Sequence, residues 1–175
     1  MPANIEIKAR AADFDAQRAK ADKIADGPAV EMEQTDTFFN VPHGRLKLRE
    51  FDQGTGELIQ YERPDRTGPR TSSYQISRTS EPHTLKASLA AALGVRSVVR
   101  KNRQLWLTGN TRIHFDQVDE LGQFIELEVV LGEGDREEDG RRIARELMQV
   151  LGIAQDDLIG CAYVDLIERQ LQTSD

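Results

Sequence analysis

The sequence predicts an α+β fold in which a mostly antiparallel sheet of eight or nine strands wraps around a polar hollow, with three or four helices outside. Alternation is the main reason. Five stretches alternate charged and apolar residues: Asn4 to Arg10, Arg45 to Arg49, Val99 to Arg103, Arg112 to Asp116 and Phe124 to Val130. Successive strand side chains point to opposite faces, so each stretch presents an ionic face opposite an apolar one. The ionic faces carry both signs, and an ordinary sheet would turn such charges to water. Their density on so many strands predicts a sheet closed around a cavity that suits a polyanion and its metal ion. The remaining support comes from helical periodicity in segments able to cover the apolar strand faces.

The elements follow in order. Residues 4–10 are a strand. Residues 12–25 are a helix with Asp13 and Asp15 in its first turn, where the helix dipole favours anions, and Gly27-Pro28 ends it. A strand over 31–40 closes at Val41-Pro42-His43-Gly44. Arg45–Phe51 and Glu57–Arg63 form a hairpin around Asp52-Gln53-Gly54-Thr55-Gly56. Pro64–Pro69 is a loop and Thr71–Arg78 a strand. Pro82 opens a helix to Leu93, with Leu85, Leu89, Ala92 and Leu93 on one face and Gly94 as its cap. Strands are expected over 95–103, 104–108, 111–118 and 123–131. A helix from Asp135 to Leu151 carries Ile143, Leu147, Val150 and Leu151 as its apolar stripe, and Gly152 ends it. A short helix covers Tyr163–Leu171.

Bulk properties narrow the class. The 175 residues suit one domain spanning 1–175. No apolar run reaches about 18 residues, so no membrane helix is expected. The N-terminus lacks the basic start and apolar segment of a secretory signal. The single cysteine, Cys161, excludes an internal disulfide and a multi-cysteine zinc cage, and it is expected to be buried. The expected compartment is the cytoplasm. A net charge of −7 argues against a nucleic-acid-coating surface, yet many bases cluster on the strands while many acids sit in loops and helix starts.

The candidate chemistry lies on the ionic faces. Glu126 and Glu128 share a face at about 7 Å, where their repulsion is about 2 kcal/mol at an effective dielectric near 20. Asp116 and Glu6 join them if their strands are neighbours. A divalent cation, Mg²⁺ or Mn²⁺, would relieve the cluster; the alternative is a structural ion-pair network. Arg45, Lys47 and Arg49 line one strand face, Lys101 and Arg103 another, and Lys8 and Arg10 a third. A triphosphate would relieve their mutual repulsion; the alternative is a solvated face. His114 shares a face with Arg112 and Asp116, as a hydrogen-bonded strand histidine or as an acid–base or substrate contact. Trp106, Phe38 and Phe39 are expected in the core. No Walker loop is present.

These residues, in this order, resemble the CYTH superfamily, which includes class IV adenylyl cyclases (CyaB-like), thiamine triphosphatases and inorganic triphosphatases. The resemblance covers residues 4–168. It implies a closed or nearly closed eight-stranded antiparallel β-barrel, a tunnel holding a triphosphate and a divalent metal. By position it implies Glu6, Asp116, Glu126 and Glu128 as metal ligands, and Lys8, Arg49, Lys101 and Arg103 as catalytic. It also implies that Arg10, Arg45, Lys47, Arg63, Arg112 and His114 touch substrate. Asn4 replaces the first glutamate of the family's Glu-x-Glu-x-Lys pattern, and Glu62 or Arg63 stands near a lysine common in the family. The implied activity is class IV adenylyl cyclase-like, ATP to cyclic AMP and pyrophosphate. The alternatives are an inorganic or thiamine triphosphatase and a non-catalytic polyphosphate binder. The expected partner is a nucleoside triphosphate or another triphosphate, with no nucleic acid and no membrane; a homodimer is left open. A lipocalin-like carrier would need an apolar barrel lining.

Overall fold

The structure, a computed structural model, describes residues 3–174. Its strands are β1 (Ala3–Arg10), β2 (Val30–Phe39), β3 (Arg45–Phe51), β4 (Gly56–Glu62), β5 (Arg70–Thr79), β6 (Val95–Thr108), β7 (Thr111–Val118) and β8 (Gly122–Leu131). The helices are α1 (Phe14–Ile24), α2 (Pro82–Leu93), α3 (Glu137–Leu151) and α4 (Tyr163–Thr173), with a short 3₁₀ turn at Gln155–Asp157. The strands form a closed antiparallel barrel in the order β1-β5-β4-β3-β2-β6-β7-β8. Closure removes the exposed sheet edges that would otherwise invite pairing with other chains.

Local chemistry sets the helix ends. The Asp13 carboxylate accepts the backbone N–H of Ala16 and starts α1. Pro82 sits in the first turn of α2 and Gly94, at φ +77°, ends it. Gly152 ends α3 in the left-handed region at φ +69°. The sequence reading misses the 3₁₀ turn and divides β6 in two at residues 103 and 104. No turn residue lies there, and β6 runs unbroken because each part has its own neighbour. Val95–Leu105 pairs with β2, and Lys101–Thr108 pairs with β7.

The main apolar core lies outside the barrel wall. Ile5, Ile7 and Ala9 of β1, with Ile113, Phe115, Ile125, Leu127 and Val129, meet Phe14 and Ala21 of α1 and Ala144, Met148 and Leu151 of α3. Each fully buried side chain of this size contributes about 1.5–3 kcal/mol. Phe115 packs edge-on against Phe14 and Trp106 at 5.3 and 5.5 Å. Gly140 lets α3 approach closely, since a Cβ there would lie 2.7 Å from Ile5 Cγ1. A second cluster, with Phe38, Tyr61, Val99 and Phe124, is covered by Tyr163, Val164 and Ile167 of α4. That helix lies across one end of the barrel. No described helix is long and apolar enough to cross a membrane.

Candidate functional site

With the odd residues of β1 spent on the outer core, Asn4, Glu6 and Lys8 must face inward. The same parity turns Met32, Gln34, Asp36 and Phe38 of β2, Lys47, Arg49 and Phe51 of β3, and Lys101, Arg103 and Leu105 of β6 into the barrel. They line a cavity of about 340 Å³. The cavity is layered. At the α4 end lie Phe38, Val99, Ala162 and Tyr163. The middle is ionic. The opposite mouth carries Met32, Phe51, Ile76 and Leu105, a partly exposed apolar collar.

The ionic layer is organised by buried carboxylates. Asp36, 1% exposed, accepts two hydrogen bonds from Arg49 at 2.8 Å, one from Lys47 at 2.9 Å and one from Lys101 at 3.4 Å. Burial alone would raise its pKa, but the charges of Arg49, Lys101 and Lys47 hold it well below the usual carboxylate range. Arg103 bonds both oxygens of Asp116 at 2.7 and 2.6 Å and reaches Glu126 at 3.0 Å. Asp116 also accepts the Tyr163 hydroxyl at 2.8 Å. Its pKa falls to about 2, because Arg103 outweighs the cost of burial. Arg63 donates to Glu6 at 3.1 Å, while its Nε and Nη2 find no partner among the described residues.

Register brings the other acids together. Glu6 of β1 faces Glu128 of β8, and Lys8 faces Glu126. Burial, with Glu126 and Glu6 nearby, pushes the Glu128 carboxyl up to about 7. Burial draws Lys8 down to about 8 against the pull of Glu126. The Lys8 ammonium rests 3.5 Å from the centre of the Tyr163 ring, a cation–π contact worth about 2 kcal/mol when desolvated. Burial and the Arg103 charge hold the His114 ring well below its ordinary value, so it is neutral.

Of the expected site residues, Glu6, Lys8, Lys47, Arg49, Arg63, Lys101, Arg103, Arg112, His114, Glu126 and Glu128 line the cavity. Arg10, Arg45 and Asp116 do not line it. Arg10 shares the inward parity, but β1 ends there; it is exposed and lies over the Phe124 ring at 5.1 Å. Arg45 sits outside the cavity, bonded to Asp65 at 3.1 Å and to Asp165 of α4 at 2.8 Å. Asp116 is fully buried with its oxygens engaged by Arg103 and Tyr163. Asn4 faces inward as expected and lies 3.5 Å from the Tyr74 hydroxyl. Cys161 is buried, as are Trp106, Phe38 and Phe39, although Phe38 also touches the cavity. Sequence reasoning missed Asp36, Tyr163 and Arg70. The last is fully buried and donates through Nη1 to the carbonyls of Arg66, Ile159 and Gly160. Only Asp36 left a trace, through its alternation with Gln34 and Phe38.

Among the described residues, a divalent cation fits the donor set at one place. One ligand atom each from His114, Glu126 and Glu128 lies within 4.8 Å of the others. Burial first, and then the charges of Glu126 and Glu6, favour the neutral form of the Glu128 carboxyl there.

The chain matches the CYTH domain over residues 2–163. It is similar in structure to a Pyrococcus horikoshii OT3 protein, with 22% identity and a TM-score of 0.82 over 93% of this chain and 98% of that one. A proposed adenylate cyclase of Vibrio parahaemolyticus has 18% identity and a TM-score of 0.73, over 94% and 97% of the two chains. A proposed adenylyl cyclase of Hippeastrum, described with a dominant triphosphatase activity, has 13% identity and a TM-score of 0.68 over 97% and 96%. At these identities the likenesses show the fold. A search of curated protein sequences gives no match.

Proposed function

The chain belongs to the CYTH domain family, and from that premise we propose that it holds a triphosphate inside the barrel and converts it, with a divalent cation, as a class IV adenylyl cyclase converts ATP to cyclic AMP and pyrophosphate. The match over most of the chain supports one CYTH-like domain over 1–175. One observation carries the functional reading: the cationic arc of Lys47, Arg49 and Lys101 and the acidic group of Glu6, Glu126 and Glu128 line the same cavity.

The roles follow from the geometry. Lys47, Arg49 and Lys101 all pair with the single carboxylate of Asp36, so they can accept several phosphoryl oxygens. Arg63 lines the same cavity, and its Nε and Nη2 nitrogens have no partner among the described residues. Arg103 spans Asp116 and Glu126 and is held rigidly for contact with the reacting phosphate. The apolar collar at the mouth offers a surface for the nucleoside. In the reaction the ribose 3′-oxygen bonds to the α-phosphorus while the bond from that phosphorus to the bridging oxygen breaks. Pyrophosphate leaves, and the hydroxyl proton passes to a base. Lys8, lowered to about 8, is poised to exchange a proton near neutral pH. A bound Mg²⁺ or Mn²⁺, held by Glu126 and Glu128 with Glu6 beside them, would stabilise charge on the phosphoryl oxygens.

A second reading is hydrolysis, in which water attacks the terminal phosphorus and orthophosphate leaves. Similarity to the Hippeastrum protein supports it, and the same residues would serve. The test is incubation of purified protein with ATP, thiamine triphosphate or tripolyphosphate, with Mg²⁺ or Mn²⁺, and identification of products. Cyclic AMP with pyrophosphate establishes the cyclase, and orthophosphate the hydrolase. Binding without any product would replace both with a polyphosphate-binding role.

A further inference from the structure

We infer that His114 is itself a ligand of the divalent cation, and that the nitrogen it adds makes the site prefer Mn²⁺ over Mg²⁺. This rests on the proposed cation site and adds to it a donor of different chemistry.

The basis is geometric. His114 of β7 lies opposite Glu126 of β8 in the ladder, with Glu128 two residues along. One atom from each of the three side chains lies within 4.8 Å of the others. Around an ion with donors at about 2.1 Å, adjacent donors sit roughly 3 Å apart and opposite ones roughly 4.2 Å. Small side-chain adjustments bring the trio into that range. Asp116, by contrast, has its oxygens engaged by Arg103 and Tyr163.

The ring itself supplies the second observation. His114 is 4% exposed, and its Nδ1 has no hydrogen-bond partner among the described residues. Glu128 Oε1 stands 3.9 Å from that nitrogen, beyond hydrogen-bond reach. A strand histidine kept for structure would have both its position and its polar atoms satisfied by neighbours. Here a buried ring nitrogen lacks a hydrogen-bond partner among the described residues and belongs to a side chain grouped with two carboxylates, and a cation would complete it. A neutral imidazole offers a nitrogen lone pair to a metal ion. Mg²⁺ favours an all-oxygen shell and takes imidazole reluctantly, whereas first-row transition ions accept nitrogen readily. Mn²⁺ is therefore the favoured ion of the two.

Pulsed electron paramagnetic resonance of Mn²⁺ added to the purified protein tests this. It is done alone and with methylene diphosphonate, an anion free of nitrogen. Wild-type protein should show ¹⁴N modulation from a bound imidazole. The pattern should change on ¹⁵N-histidine labelling, which needs no substitution; the other two histidines, His43 and His83, are exposed and do not line the cavity. His114→Gln should abolish the modulation. Loss of a mere outer partner of a ligand costs roughly 10–100-fold in affinity, so His114→Gln should weaken Mn²⁺ binding at least about tenfold and Mg²⁺ binding far less. Mn²⁺ bound without histidine nitrogen coupling, yet weakened by Glu126→Gln, would overturn the role of His114 and leave the carboxylate site standing. Failure of both ions to bind, with or without the anion, would overturn the cation site as well.

Discussion

Asp36 shows how much of the cavity depends on single buried charges. Three cations converge on its carboxylate, so Asp36→Asn leaves them facing one another at nearly the same volume. Breaking a buried ionic group in this way costs about 3–5 kcal/mol. A ligand that brings its own negative charge should restore part of that. In thermal denaturation, Asp36→Asn should melt lower than wild type, and tripolyphosphate should raise its midpoint by more than it raises the wild-type midpoint. Glu128 gives the opposite case. Its carboxyl titrates at about 7 in the folded protein against 4.5 for the free group. Between those values the native state binds more protons than the unfolded chain, so metal-free stability falls as pH rises from about 4.5 to 7 and then levels off. Glu128→Gln should therefore melt above metal-free wild type at pH 8, by about 2–4 °C per kcal/mol gained. The advantage should vanish towards pH 4.5, and added Mn²⁺ should reverse it. Most of these residues were legible because inward parity depends only on counting along a strand. Asp36 was not, because its stretch, Glu31-Met32-Glu33-Gln34-Thr35-Asp36, carries polar residues on both faces. Arg10 and Arg45 have the right parity, but lie where their strands leave the cavity.

At the level of elements, helix ends were readable because glycine and proline mark them chemically. The α2 boundaries expected from Pro82 and Gly94 match the observed Pro82–Leu93. What a helix covers is a tertiary matter. The reading of Tyr163–Leu171 as a short helix gave no sign that Tyr163 would enter the barrel end, or that Asp165 would bind Arg45 and Arg96 at 2.8 and 3.0 Å. The packing of α3 offers a sharp check. Alanine favours a helix over glycine by about 1 kcal/mol. At position 140, however, the added Cβ would meet Ile5 Cγ1 at 2.7 Å and Leu131 Cδ2 at 2.9 Å. Overpacking of that kind costs about 1–3 kcal/mol. Gly140→Ala should thus lower the urea midpoint without changing the slope, whereas the propensity effect alone would raise it.

For the whole molecule, the net charge of −7 conceals a basic interior. The sequence pointed to closure because charges of both signs were too many for one solvated sheet. Which strands adjoin was not readable, since the β1–β5 and β2–β6 pairings that close the barrel join segments far apart in the chain. A molecule so built should gain stability from an anionic guest. Tripolyphosphate at 100 times its dissociation constant should add about 2.7 kcal/mol, a rise of roughly 5–10 °C in melting temperature. Arg49→Ala should lose most of that rise at the same concentration. Glu126→Gln should keep it and lose only the further increment that Mn²⁺ provides.

The helix lying across one end of the barrel turns the tunnel into a cul-de-sac. Under the proposed function, traffic in both directions would then use the mouth that carries Met32, Phe51, Ile76 and Leu105. Under the cyclase reading, the nucleotide half occupies the doorway and the pyrophosphate lies behind it, so departure is ordered, nucleotide first. Pyrophosphate would then inhibit competitively against ATP, while cyclic AMP would inhibit non-competitively.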